Sequence, residues 1–311
     1  MRVFRDVLLM MRPQQWIKNL FVFPALVFSK HLFHYGYLAR SLAAFGLFCL
    51  ISGAVYIFND LLDVEEDRHH PAKRYRPLAS GRIAPPIAWA AFGLSSLAGV
   101  ALSFWLGLWF GLVVAIYYVM NLGYSVYLKR VVILDVLIVS LGYVLRAVAG
   151  GVVLKVEISE WLLICTVLLA LFLVLAKRRQ ELTLMDDRTN MLLELSLAAT
   201  DAESAVRYRK SLDEYNPYFL DQMIGVTTAS TLMAYILYTV SPEAVRKFGG
   251  RDLLYTTPFV IYGIFRYLYL IHQKREGENP TKTLLGDGPL LLDIALWGAA
   301  VVIVLYLNLP V

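Results

Sequence analysis

The chain has 311 residues, 59% of them hydrophobic and 17% charged, with 29 Lys+Arg against 24 Asp+Glu. Soluble domains run at about 45–50% apolar and about 25% charged, so the composition argues against a soluble enzyme, a disordered chain and a fibrous one, and points to a polytopic membrane protein. Cys49 and Cys165 each stand inside an apolar run, where they read as small buried hydrophobes and support neither a disulfide framework nor a Cys-based metal site.

The first elements in chain order are interfacial. Residues 1–18 place Val3, Phe4, Val7, Leu8 and Met11 on one helical face, with Arg2, Arg5 and Arg12 nearby, which suits a helix lying in the membrane interface. The apolar core there is too short for a cleavable signal peptide. A spanning helix needs about 20 mostly apolar residues, and nine such runs follow, at about 19–36, 38–58, 85–106, 108–128, 131–153, 160–176, 219–240, 256–273 and 289–309. Lys30 and His31 interrupt the first. The expected fold class is an all-α integral membrane protein of about nine transmembrane helices, one polytopic domain over 1–311, with long charged loops at about 59–84 and 177–218. Between Glu243 and Asp252 a short amphipathic surface helix is expected.

Lys and Arg accumulate on the cytoplasmic side of membrane proteins. Alternating the nine spans puts 21 of the 29 basic residues on the side of the N-terminus and six (Lys30, Arg40, Lys155, Arg246, Lys247, Arg251) on the other, with Arg146 and Arg266 inside spans. The N-terminus and the two long loops are therefore expected to face the cytoplasm, with the chain in the plasma or cell inner membrane.

The sharpest feature begins at the end of the second span, where Asn59, Asp60, Asp63 and Asp67 fall within an arc of about 100° at helical spacing. Aligned carboxylates repel one another unless something positive sits among them. Mg²⁺ fits, since it takes oxygen ligands and is commonly held by one or two carboxylates together with substrate phosphates. Within about ten residues come Lys73, Arg74 and Arg76, suited to phosphate oxygens. A solvated helix end before a positive-inside loop would explain the basic residues but not acids reaching back to Asp60. Further charges, Asp135, Arg146, Arg266 and Asp293, lie within apolar runs, where ionisable groups are costly and face a cavity or a partner. Inter-helix ion pairing remains an alternative for Arg146 and Arg266.

The string Asn59-Asp60-x-x-Asp63-x-x-x-Asp67 resembles the first aspartate-rich motif of the UbiA superfamily of intramembrane prenyltransferases. Its continuation through His70-Pro71-x-Lys73-Arg74-x-Arg76-Pro77 is similar to the decaprenyl-phosphate phosphoribosyltransferase branch. Further matches are Arg12-Pro13-x-Gln15-Trp16-x-Lys18-Asn19, Tyr124-Ser125 through Lys129, Asp135 through Gly142-Tyr143-x-x-Arg146-Ala147, Lys177-Arg178-x-x-Glu181, Pro258 through Tyr262-Gly263-x-x-Arg266-Tyr267, and Gly277-Glu278-x-Pro280-Thr281. One departure stands out. Ordinary members carry a second Asp-x-x-x-Asp motif after the sixth helix, and the corresponding region here reads Lys177-Arg178-Arg179-Gln180-Glu181.

The resemblance implies a UbiA-like bundle that transfers 5-phosphoribose from 5-phosphoribosyl 1-diphosphate to a polyprenyl phosphate, with Mg²⁺ as cofactor. Asn59, Asp60, Asp63 and Asp67 would then form the metal and catalytic group. Lys18, Asn19, Lys73, Arg74, Arg76, Tyr124, Lys129, Asp135, Arg146, Lys177, Arg178, Glu181, Tyr262 and Arg266 would bind substrate. The expected partners are the two substrates and the lipid bilayer, with no nucleic acid; a homo-oligomer stays open. Prenyl transfer to an aromatic acceptor is the alternative within the family. Transport of an organic anion or divalent cation is the alternative outside it, and no pair of interrupted helices in matching halves favours it.

Overall fold

The computed structural model describes residues 2–69, 73–196, 215–273 and 280–306, and its described residues are helical with no strand. Contacts divide the chain into two compact units, residues 1–159 and 160–311. Among the described residues eight helices are long and apolar enough to cross a membrane.

In the first unit, α1 (Arg2–Met10) is followed by a 3-10 helix (Pro13–Val22), α2 (Pro24–Phe28), α3 (Tyr35–Leu62) and α4 (Val64–His69). A 3-10 turn at Lys73–Tyr75 leads to α5 (Pro85–Leu106), α6 (Leu108–Val126), a second 3-10 turn at Leu128–Arg130, and α7 (Leu134–Leu154). The central helix α3 has 28 residues, about 42 Å at the α-helical rise, and packs against α5, α6, α7 and the first 3-10 helix. The expected first span over 19–36 is corrected. Pro13 and Pro24 begin separate short helices, and Lys30 takes a left-handed φ of 61°, so no continuous α-helix forms. The segment nevertheless runs antiparallel to α3 along its length. Arg12 pairs with Asp60, Asn19 bonds Ser52, Phe23 meets the Phe45 ring and His31 stacks on Tyr37.

The N-terminal helix α1 also differs in part from expectation. Val7, Met10 and Met11 pack with Ile57, Leu78, Ile83 and Ala88, while Val3 and Phe4 stay exposed. Buried Asp6 accepts from Arg82 Nη1 at 3.2 Å, so the helix is docked on the protein along one side. Small residues allow the close approaches that membrane helices use for packing. A Cβ on Gly150 of α7 would run into the carbonyl oxygen of Val22, and one on Gly53 would meet the Met11 side chain.

The second unit contains α8 (Glu160–Ser196), α9 (Pro217–Val240), α10 (Pro242–Phe248), a 3-10 turn at Asp252–Thr256, α11 (Thr257–His272), α12 (Pro280–Gly286) and α13 (Gly288–Tyr306). The loop expected over 177–218 is a helix as far as Ser196. Its charged residues are good helix formers, and Lys177 and Arg178 pair one turn on with Glu181 at 3.4 and 2.6 Å. The remainder of that loop, residues 197–214, lies outside the described residues, as do His70, Pro71, Gly277 and Glu278 of the motifs. Helix α9 starts where Asn216 accepts from the Tyr218 N–H and Pro217 takes the first helical position. The expected amphipathic surface helix is α10, capped by Ser241 and closed by Gly249 at a φ of 84°.

Candidate active site

The acidic residues of the first unit straddle a helix break. Asn59 and Asp60 belong to the last turn of α3, Asp63 follows its end, and Asp67 lies on α4. Backbone bonds from Asp63 N to Asn59 O (3.0 Å) and from Asp67 N to Asp63 O (2.8 Å) carry the near-helical path through the break, so the helical-arc reading survives it.

Three cations from three separate elements meet these acids. Arg12 ion-pairs with Asp60. Arg76 Nη1 donates to Asp60 Oδ1 at 3.1 Å and to Asp67 Oδ2 at 2.5 Å. Lys129 Nζ donates to Asp63 Oδ1 at 2.8 Å, and Asn59 Nδ2 to Asp63 Oδ2 at 3.0 Å. Asp60 and Asp67 are 3% and 2% exposed, and carboxylates that deep require such pairing. Two backbone positions near the cluster carry strain of about 1–3 kcal/mol each. Arg12 has a φ of 52° with its guanidinium 4.9 Å from the Tyr56 ring centroid, and β-branched Ile133 has a φ of 68° between Lys129 and Asp135.

A second polar level lies deeper along α3. Asn19 Nδ2 donates to Cys49 Sγ (3.3 Å) and Ser52 Oγ (3.2 Å), eight to eleven residues before Asp60, or about 12–16 Å along the helix. Buried Arg146 of α7 donates from Nε to Asn19 Oδ1 (2.8 Å), from Nη1 to Gly142 O (2.8 Å) and from Nη2 to the Tyr117 hydroxyl (2.7 Å). The Tyr117 and Tyr143 ring centroids stand 4.7 and 5.4 Å from its guanidinium carbon. Lys18 lies beside Asn19 on the same 3-10 helix; burial and the charges of Arg146 and Arg12 hold its amine down at about 8.

The other expected site residues are distributed more widely. Arg74 is exposed and bonds the Tyr75 hydroxyl at 2.7 Å, Lys73 is exposed, and Arg76 is brought to the acids. Tyr124 is half-buried near the end of α6, and Asp135 is fully buried in the first turn of α7. Asp135 and Arg146, eleven residues apart on that helix, do not pair; Arg146 is held by neutral groups. In the second unit Glu181 is the counter-ion of Lys177 and Arg178, and Arg179 pairs with Asp221 at 2.8 Å. Arg266 forms a two-point pair with Asp287 at 3.1 and 2.8 Å, and Asp287 also caps α13 through the Leu290 N–H at 2.9 Å. Arg266 is thus ion-paired with a carboxylate from the turn before α13. Tyr262, one turn before it, is exposed.

The sequence reading did not single out Arg12, Tyr56, Tyr117, Tyr143 or Asp287 as site residues. Arg12 stood inside a quoted motif, and Asp287 sits between Gly286 and Gly288, a helix-start signal. Tyr143 likewise stood inside a quoted motif, while Tyr56 and Tyr117 left no signal apart from their place in apolar helices.

Residues 20–286 match the UbiA prenyltransferase family. The chain belongs to that family. It is 32% identical over 305 residues to a decaprenyl-phosphate phosphoribosyltransferase of Mycolicibacterium smegmatis, covering 93% of this chain and 90% of that one. A decaprenyl-phosphate phosphoribosyltransferase of Corynebacterium glutamicum is 30% identical, covering 96% and 86%. In fold it resembles a UbiA homolog from Archaeoglobus fulgidus, solved with GPP and Mg²⁺, at a TM-score of 0.69 and 18% identity over 96% of this chain and 99% of that one. As a UbiA member with these relatives, the protein is a membrane-embedded transferase.

The acids suit a Mg²⁺ ion by chemistry, because every side-chain donor is an oxygen or an amide. Among the described residues, no three His, Cys, Asp or Glu side chains are gathered closely enough to hold a metal unaided. Mg²⁺ tolerates that, since it takes few protein carboxylates and completes its shell with water and substrate phosphate.

Proposed function

We propose that the protein transfers 5-phosphoribose from 5-phosphoribosyl 1-diphosphate to a polyprenyl phosphate, releasing diphosphate, at the cytoplasmic face of the membrane. One observation carries the reading: three carboxylates around the break between α3 and α4 are each held by a cation of a kind suited to phosphate, Arg12 and Arg76 on Asp60, Arg76 on Asp67 and Lys129 on Asp63. The identity to phosphoribosyltransferase relatives over most of the chain supports it. So does the region of the second family motif, where Glu181 is engaged by Lys177 and Arg178 and no Asp-x-x-x-Asp pair is present for a second metal.

Without donor, these acids and cations neutralise one another. A diphosphate entering with Mg²⁺ gives both sets new partners: Asp60, Asp63 and Asp67, with Asn59 beside them, would hold the metal, and Arg12, Arg76 and Lys129 would turn to phosphate oxygens. Bound there, Mg²⁺ offsets charge on the departing diphosphate. The acceptor needs no strong base, because a phosphate monoester with a second pKa of about 6 is already ionised at neutral pH. The chain's task is to position the two anions and stabilise charge as it moves.

The test supplies the purified protein with labelled phosphoribosyl diphosphate, polyprenyl phosphate and Mg²⁺. Lipid-extractable label is expected with wild type and is expected to fall at least a hundredfold in Asp60→Ala, on the scale of losing an electrostatic group of the active site. No label with wild type, or undiminished label in the variant, overturns the reading. A parallel arm with a prenyl diphosphate and an aromatic acceptor tests ordinary prenyl transfer, the chemistry for which the family is named.

A further inference from the structure

Below the acid cluster the first unit holds a second concentration of positive charge, and its partners are of another kind. Arg146 is 6% exposed, and its three hydrogen-bond partners are an amide oxygen, a backbone carbonyl and a phenol. Lys18 makes no hydrogen bond or ion pair among the described residues, and the charges it feels are those of Arg146 and Arg12. Arg12 is committed to Asp60. Arg146 is thus held by neutral groups, and its partner Asn19 is the chain neighbour of half-buried Lys18, which places a second cation beside it. Burying one charge is costly, and two of like sign add repulsion to that cost, so an anion that enters between them gains from both.

The geometry also leaves donors for such an anion. A guanidinium has five N–H groups, and the bonds to Asn19, Gly142 and Tyr117 use three of those on Arg146. These three bonds come from the 3-10 helix, α7 and α6 and fix the plane of the group, while the tyrosine rings cover it. The remaining two N–H groups and the Lys18 ammonium suit a compact dianion. The level lies about 12–16 Å along α3 from Asp60, far enough that one diphosphate does not serve both.

We propose that Lys18 and Arg146, oriented by Asn19, Tyr117 and Tyr143, form a second anion subsite that binds a phosphate monoester, separate from the diphosphate subsite at Asp60, Asp63 and Asp67. This rests on the phosphoribosyl-transfer reading, in which both substrates carry a monoester: the sugar donor at C5 and the lipid at its head. Such a subsite makes the enzyme select for a monoester as well as a diphosphate. A prenyl diphosphate, with one anionic end, leaves it unfilled.

The experiment measures binding to the full chain in nanodiscs by calorimetry, with three probes: ribose 5-phosphate, farnesyl phosphate, and pyrophosphate with Mg²⁺. Variants are Lys18→Met, Arg146→Lys, which keeps the charge and loses the fork, and Tyr117→Phe, which removes a single hydroxyl from the packing. Binding of one monoester is expected to weaken about tenfold to a hundredfold in Lys18→Met and Arg146→Lys, the worth of charge-assisted hydrogen bonds, and less in Tyr117→Phe. Pyrophosphate binding is expected to hold within about twofold. The monoester that responds identifies the source, sugar or lipid. Equal losses for monoester and pyrophosphate, or no loss for either monoester, overturn the subsite. If the monoester responds as expected while labelled phosphoribose is not transferred, the subsite stands and the proposed reaction falls.

Discussion

Lys18 carries a pH signature that separates it from the other cations of the site. Its amine is held at about 8 instead of its ordinary value of 10.5, by burial first and then by Arg146 and Arg12. A lysine depressed in the fold opposes folding while it is charged; that cost is present below about pH 8 and is relieved as pH rises from about 8 to 10.5, where the unfolded chain still binds the proton. Anion binding runs the opposite way, since the charged amine is the one that attracts phosphate. Between pH 7 and 9 a phosphate monoester is already dianionic. Monoester affinity is therefore expected to fall as pH rises through 8, and Lys18→Met is expected to show a flat profile over the same range. A wild-type profile that is flat from pH 7 to 9, measured by calorimetry, would remove Lys18 from the subsite. The residue scale also shows what was legible in the sequence. Asp60, Asp63, Asp67 and Arg76 declared themselves by spacing and charge, and Lys129 through the family resemblance. Arg12 and Arg146 reach their partners across 48 and 127 residues of chain, and no local pattern encodes contacts of that range.

At the scale of elements, the segment from Pro13 to Phe28 decides where Lys18 and Asn19 stand. Ten residues of 3-10 helix rise about 20 Å, against about 15 Å for the same residues in an α-helix. The segment therefore follows α3 with fewer residues than a regular span needs. Apolar content marked it as a crossing, but periodicity does not separate short helical forms, and Pro13, Pro24 and Lys30 were weak signs beside the hydrophobic run. The same limit acted in reverse on α8, whose charged half looked like a loop because hydropathy registers polarity and not helix formation. Packing holds the 3-10 segment in register at Gly150, which lets α7 approach the Val22 carbonyl. Gly150→Ala is expected to destabilise the first unit by about 1–3 kcal/mol, the usual cost of overpacking, and to weaken ribose 5-phosphate or farnesyl phosphate binding with it, because Asn19 and Lys18 shift when the segment is pushed off α7. Gly46→Ala, at a helix-interior glycine with open space around it, serves as the control and is expected to keep or raise the unfolding midpoint and to leave the affinity unchanged. Equal stability for both variants would show that the close approach is not needed.

For the whole molecule, the sign of each end matters more than the net charge of +5. In the first unit Arg12, Arg76 and Lys129 gather at the end of α3 that carries the acids, whereas Lys30 precedes the opposite end and Lys155 closes α7. The 21-to-6 bias along the sequence is the basis for proposing that the acid end faces the cytoplasm. The proposed reaction makes the same demand from another direction: a sugar carrying three phosphates does not cross a bilayer unaided, so a site for that donor would open where the donor is made. Sidedness is thus a joint test of topology and function. In a Cys49→Ala, Cys165→Ala background, Arg74→Cys is expected to react with a membrane-impermeant maleimide only after cells are opened, and Lys155→Cys is expected to react in intact cells. Both positions are exposed, so failure to label does not follow from burial. The reverse pattern would place the carboxylates of Asp60, Asp63 and Asp67 outside the cell, away from any cytoplasmic donor, and would overturn the proposed reaction together with the orientation.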